Sequence, residues 1–228
     1  MRLFSPEHIA AIAVTGLAAP ALALLARRLA PRHATELARV LAVLILVAFV
    51  VEQVTYVARG DWRARVNLPL QLSDAVTIVA IAALWRPRPG LPAELVWFWG
   101  LTATLQGVLT PDIADMFPDV LYFTYFVTHG GAILAAFVLV LGLRHVPRRG
   151  AVWRVYAMTA AFAVLAAAGC LATGGNYMFL RHKPASGSIL DSLGPWPWYV
   201  LAAALLGLAM LLALAALTRS VARLEPRP

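Results

Sequence analysis

Val40-Leu-Ala-Val-Leu-Ile-Leu-Val-Ala-Phe-Val-Val-Glu52 decides the class of this chain: twelve apolar residues in a row, then a carboxylate. A helix of such a run has no polar face to offer water, so it belongs in a bilayer or a core. Outward from it, apolar residues extend over 37–57, enough for the hydrocarbon layer, which takes roughly 17–25 residues. Six more stretches of similar length lie near 8–26, 68–85, 93–110, 120–143, 152–172 and 197–218. Turn and charge signals separate them: Pro31, Arg59–Arg65, Arg86-Pro-Arg-Pro-Gly90, Pro111–Pro118, Arg148-Arg-Gly150 and Gly174–Pro197. The pattern predicts an all-α, polytopic transmembrane bundle of seven spans, one domain over 1–228. Composition agrees, with 61% hydrophobic and 13% charged residues, where soluble domains run near half and a quarter.

Several classes drop out. A single cysteine excludes an intrachain disulfide, a CxxC zinc site and an iron–sulfur cluster. The net charge of +8 sits in loops between apolar spans and is no nucleic-acid signature. The one lysine, Lys183, lies in a loop, so a mid-helix Schiff base is absent. Ala21-Leu-Ala23 resembles a signal cleavage site, but Glu7 precedes the first span and Arg27-Arg28 follow it. That reverses a signal peptide's charge bias, and the segment is expected to be a retained helix.

Orientation follows from the basic residues. Thirteen fall on one side: Arg27, Arg28, Arg32, Arg39, Arg86, Arg88, Arg144, Arg148, Arg149, Arg154, Arg219, Arg223 and Arg227. The other side holds six: Arg2, Arg59, Arg63, Arg65, Arg181 and Lys183. The split predicts an outer N-terminus and a cytoplasmic C-terminus, in a multi-pass protein of the cell membrane.

Ionisable groups inside spans are costly and mark function by default. Glu52, Asp74 and His129 stand out. Counted at 1.5 Å per residue, the two carboxylates lie roughly 8–10 Å below the outer helix ends and His129 roughly 15 Å below. Asn67, Gln71 and Asp74 at i, i+4, i+7 predict one polar face on the third span, with Ser73 and Thr77 on its flank. Trp99, Thr102, Gln106 and Thr110 predict a stripe on the fourth, followed by Asp112, Asp115 and Asp119. Tyr122, Tyr125 and His129 share helical spacing on the fifth, and Gly130-Gly131 admits a close neighbour. The last outer loop adds Asn176, Tyr177, Arg181, Lys183 and Asp191. The inner halves are almost purely aliphatic, so the simplest arrangement is a polar chamber opening outward. Plain structural readings stand beside this one. The carboxylates can pair with Arg63 or Arg65, the glutamines and threonines can be helix–helix glue, and the tryptophans can form an interfacial belt.

Six pieces occur in order over roughly residues 50–200: Leu68-Pro-Leu-Gln-Leu-Ser-Asp74, Trp97-Phe-Trp-Gly-Leu101, Gln106-x-x-x-Thr-Pro-Asp112, Thr128-His-Gly130, Asn176-Tyr-Met-x-Leu-x-x-Lys-Pro184 and Leu190-Asp-x-Leu-Gly-Pro-Trp-Pro-Trp-Tyr199. Together they resemble the YwaF-like bacterial integral membrane proteins. That family is similar to a eukaryotic multipass branch implicated in acyl transfer between phospholipids, and more distantly to membrane threonine hydrolases of fatty-acid esters. The resemblance implies a nucleophile at Ser73, where the acyltransferase branch has Cys, and a histidine at His129. A serine needs a stronger base than a thiol does. Asp74 or Glu52 would orient His129, although Ser73 lies about 100° around the helix from Asp74 and differs from His129 in depth by roughly 7 Å.

A lipid acyltransferase or lipid ester hydrolase is therefore the leading expectation. Gln71 or Gln106 would donate to the oxyanion, and Arg63, Arg65, Arg181 and Lys183 would hold a phosphate headgroup, with Asp112 and Asn176 lining the mouth. The alternatives are a proton-coupled carrier relaying through Glu52, Asp74 and His129, and a non-catalytic sensor or binding protein. Membrane lipids are the expected partners. No cofactor and no metal are expected, since multi-His zinc sites need partners and His129 is read as the one histidine within a helix. A Glu–Asp–His site stays open.

Overall fold

The computed structural model describes residues 3–184 and 187–224, with side chains as far as 220. Arg2 and Arg227 of the charge count lie outside the described residues, as does the Arg223 side chain. The described chain is all-helical, with 76% helix and no strand. Two long helices come first, α1 (Pro6–Arg28) and α2 (Pro31–Ala58). Each begins with proline at its first turn, where the missing N–H costs nothing. A four-residue turn, α3 (Ala64–Asn67), leads to α4 (Leu72–Trp85). Next, α5 (Leu91–Trp99) continues through a π segment, Gly100–Thr104, into α6 (Leu105–Leu109). Likewise α7 (Val120–Ala136) runs on as a π segment, Phe137–Gly142. Helices α8 (Ala151–Thr173) and α9 (Trp198–Leu224) follow, with short 3₁₀ turns at Tyr177–Phe179 and Ile189–Leu193 between them.

Among the described residues, five helices are long and apolar enough to cross a membrane: α1, α2, Val120–Gly142, α8 and Trp198–Ser220. The third and fourth predicted spans come out differently. The fourth is the α5–π–α6 composite. The third is shortened to the 14 residues of α4, because Pro69 breaks it. A residue before proline is pushed out of the α region, and Leu68 is extended at φ −65°, ψ 143°. The polar stripe expected on one face is therefore not one helix face. Asn67 ends α3, whereas Gln71 is the extended N-cap of α4 at φ −79°, ψ 150°.

The fifth apolar stretch occupies the centre. Of its most apolar window 67% is buried, against 11–22% for the other four long helices, whose remaining surface is free to face lipid. Glycines set how closely the others approach. A Cβ on Gly131 would stand 2.6 Å from Ile45 Cγ1 of α2, and one on Gly130 would stand 2.8 Å from Thr15 Oγ1 of α1. In the membrane such small residues replace the hydrophobic effect as the basis of helix packing.

The two ends differ in charge. At one end Arg39 donates to the Trp85 carbonyl (3.3 Å), and Arg148 and Arg154 reach Glu94 (2.8 Å each). At the other, Arg59 bridges to Asp119 (3.0 Å) and Asp115 (3.7 Å). The arginines at the ends of α1, α4 and α7 and the starts of α2 and α8 thus share the Glu94 end of the bundle.

Candidate functional site

Asp119 starts α7 by accepting the Leu121 N–H (2.8 Å), a cap the sequence spends at the helix's positive end. Nearly three turns on, His129 stacks on Tyr125, ring centroids 3.9 Å apart at 23°. Its Nδ1 lies 2.9 Å from the Tyr125 carbonyl oxygen. A carbonyl can only accept, so Nδ1 carries the proton and Nε2 the lone pair. That Nε2 has no hydrogen-bond partner among the described residues. Gly107 makes room for the ring: a Cβ there would stand 2.7 Å from His129 Cδ2 and 3.3 Å from the Tyr125 hydroxyl. Tyr125 in turn donates to the Gly107 carbonyl (2.9 Å), and the Asp112 backbone also approaches its hydroxyl.

Glu52 is half-buried on α2 and makes no hydrogen bond or ion pair among the described residues. It lies in electrostatic range of Asp74, Tyr56 and Tyr125. Asp74 is also in range of Tyr125 and of Tyr177 in the last loop. Helices α2, α4 and α7 therefore bring Glu52, Asp74 and Tyr125 within electrostatic range of one another, and His129 joins them only through its stack on Tyr125. Asp74 has a structural duty as well, accepting the Gln71 N–H (3.2 Å) in a capping box at the start of α4. The Ser73 hydroxyl has no partner among the described residues, and no hydrogen bond joins Ser73, Asp74 or Glu52 to His129. The Gln71 carbonyl Oε1 accepts the Met178 N–H (2.7 Å), which leaves its amide NH₂ free to donate. Gln106, beside Gly107, uses its backbone carbonyl to accept the Thr110 hydroxyl (3.0 Å) and keeps its side chain unbonded.

Among the described residues, no carboxylate neutralises the four expected headgroup cations. Arg63 bonds the Gly60 (2.6 Å) and Trp62 (2.9 Å) carbonyls, Arg181 the Gly174 carbonyl (3.0 Å), and Lys183 the Asp191 carbonyl (3.2 Å). The exposed Arg65 side chain has no partner among the described residues. Neutral carbonyls orient these groups without cancelling their charge. Asn176 organises the loop by accepting the Arg181 N–H (2.9 Å) and donating to the His182 carbonyl (2.7 Å). The expected pairing of Glu52 or Asp74 with Arg63 or Arg65 is not formed.

Two residues escape the sequence reading, and a third, Tyr177, is read there only as part of the last outer loop. Glu94 is only 1% exposed, with Arg148 Nε and Arg154 Nη2 both 2.8 Å from its Oε1. His8, against the expectation of a single helical histidine, lies in α1 and is fully buried. It accepts the Phe4 N–H at Nδ1 (3.0 Å) and donates from Nε2 to the Val108 carbonyl (2.9 Å), so both nitrogens are used in tying α1 to α6. Tyr177, fully buried, joins its hydroxyl to the Ala64 carbonyl and the Leu68 N–H, pinning the last loop to α3. Burial raises its phenol above the usual 10, so it stays a donor. Among the described residues no three of His, Cys, Asp and Glu are placed to hold a metal.

A family model described as the TMEM164 family matches residues 3–215, nearly the whole chain. No curated protein and no solved structure matches it.

Proposed function

The chain belongs to the TMEM164 family, a multipass membrane family, and on that footing we propose that it is a lipid acyltransferase or lipid ester hydrolase working in the outer leaflet. The supporting observation is His129, whose proton is fixed on Nδ1 and whose Nε2 lone pair is unclaimed, stacked on a Tyr125 that lies in electrostatic range of Glu52 and Asp74. A free lone pair held in one tautomer is what a general base needs. The motif resemblance to the YwaF-like proteins and their acyl-transferring relatives assigns the nucleophile to Ser73.

In this reading Ser73 Oγ attacks the lipid ester carbonyl while His129 Nε2 takes its proton. The Gln71 amide NH₂ or Gln106 stabilises the oxyanion. The ester C–O bond breaks, the leaving alcohol takes the proton from His129, and an acyl-serine remains. A lysolipid hydroxyl or a water then attacks the acyl carbonyl, giving up its proton to His129; the bond from the acyl carbon to Ser73 Oγ breaks, His129 returns the proton to Oγ, and the new ester or the free acid leaves. Asp74 and Glu52 position the histidine and stabilise its imidazolium. Arg63, Arg65, Arg181 and Lys183 hold the phosphate, and Asp112 and Asn176 line the mouth. Ser73 and His129 must close to about 2.6–3.2 Å once lipid is bound, a tightening common in sites that are loose without substrate. Seven spans in one domain, with the N-terminus outside, complete the proposal. A proton carrier is less favoured, because the buried Val76, Ala80, Leu84, Phe98 and Val138 fill the path toward the arginine-rich end.

Turnover of a phospholipid ester by the purified, reconstituted protein tests this. Ser73→Ala and His129→Ala should each cut the rate by about 10²–10⁴, the contribution of a nucleophile–base pair, with membrane insertion unchanged. Full activity in Ser73→Ala, together with loss in Asp74→Asn or Glu52→Gln, would point to a carboxylate-centred mechanism instead.

A further inference from the structure

A groove of about 630 Å³ runs between α2 and α4, away from His129. Leu46 and Phe49 form one wall, Ile78 and Ile81 the other, and the small Ala82 keeps the floor low. Its lining is almost wholly apolar, and Leu46 and Ile78 are each 44% exposed. The groove is not apolar at its end. Trp85 and Arg86 close it there, and Arg39 folds over Trp85, its guanidinium 5.9 Å from the ring centre and its Nε bonded to the Trp85 carbonyl. Arg88 follows two residues on. No carboxylate pairs with Arg39, Arg86 or Arg88 among the described residues, because Glu36 is taken by Arg32 and Glu94 by Arg148 and Arg154.

An apolar slot that ends in unpaired arginines matches one ligand chemistry, an acyl chain carrying a phosphate. From Ala42 to Phe49 the slot follows α2 for about 10 Å, a third of the hydrocarbon thickness, so it takes the headgroup-proximal part of one chain. A passing helix is a poorer occupant, because its apolar side chains would leave the arginines unanswered. We propose that this groove is a binding site for an anionic phospholipid of the leaflet at the arginine-rich end, with its phosphate on Arg86 and Arg39. The site is separate from the proposed catalytic one and does not depend on it.

The test is native mass spectrometry of the full chain released from nanodiscs of equal phosphatidylglycerol and phosphatidylcholine. The wild type should retain phosphatidylglycerol preferentially. Arg86→Gln should lower that preference about five-fold, the effect of one cation near an anionic bilayer surface. The Arg39→Gln/Arg86→Gln pair should lower it further, and Arg86→Lys should keep it. Ala82→Leu, which fills the floor, should reduce retention of both lipids. Arg86 is exposed, so its variants test the site without challenging the fold. An unchanged preference in the double glutamine variant would overturn the proposal. So would a dimer that carries no lipid and is disrupted by Ala82→Leu, since a second copy would then be the occupant.

Discussion

His129 owes its geometry to a neighbour with no side chain. Adding a methyl at Gly107 places Cβ 2.7 Å from His129 Cδ2, and the ring must leave its stack on Tyr125. Gly→Ala within a helix gains about 0.5–1 kcal/mol, whereas overpacking costs about 1–3 kcal/mol, so the clash wins. Gly107→Ala should lower stability by about 1 kcal/mol and reduce lipid turnover at least about ten-fold. Paired melting and rate measurements check both, and an unaltered rate would show that the ring's position does not matter. At this scale the sequence is most legible where charge meets an apolar run, which is why Glu52, Asp74 and His129 stand out unaided. Glu94 and His8 do not, because their partners lie 54, 60 and 100 residues away. The sequence sign for Glu94 was a carboxylate inside a predicted span, close to the arginine-rich loops.

Helical elements end where backbone chemistry requires. Pro69 divides α3 from α4, and the periodic count over Asn67, Gln71 and Asp74 misleads because it assumes a continuous helix through a proline. The α5–π–α6 composite is similar, since apolar length shows that a helix exists and hides its change of pitch. Two predictions belong here. Glu94 is buried against two half-exposed arginines, and removing its charge leaves them facing an uncharged pocket. Glu94→Gln should therefore lower the melting temperature well below that of Glu36→Gln, whose surface pair with Arg32 contributes little. Equal melting would make the Glu94 cluster dispensable. The second concerns the strap from Arg59 to Asp119. The Leu121 N–H, followed by the Arg59 guanidinium, holds the Asp119 carboxyl below its ordinary 3.8. A depressed carboxyl stabilises the folded strap above that ordinary value, and the contribution is lost as pH falls through the lower folded value. A spin label at Met116 should stay immobile at neutral pH and loosen only below about pH 4. In Asp119→Asn it should be loose at every pH.

At the scale of the molecule, apolar length and charge distribution are readable in advance: an all-helical chain most of whose described arginines gather at one end. Burial is not. Hydropathy cannot distinguish lipid from protein as the apolar neighbour, so the central place of α7 emerges only from packing, through Gly130, Gly131 and the helices that close on them. Sidedness is a further prediction. Cys170 is buried, so single cysteines introduced elsewhere report cleanly. A cysteine at Asp115 should react with an impermeant thiol reagent on intact cells, and one at Arg149 only after lysis; the reverse pattern would move the site to the cytoplasmic face. The most direct measurement joins sidedness to chemistry. A membrane-impermeant, serine-directed fluorophosphonate applied to intact cells should label the wild type at Ser73 and should miss Ser73→Ala and His129→Ala. Labelling that persists in Ser73→Ala, or that appears only in broken cells, would contradict an outward-facing serine–histidine site.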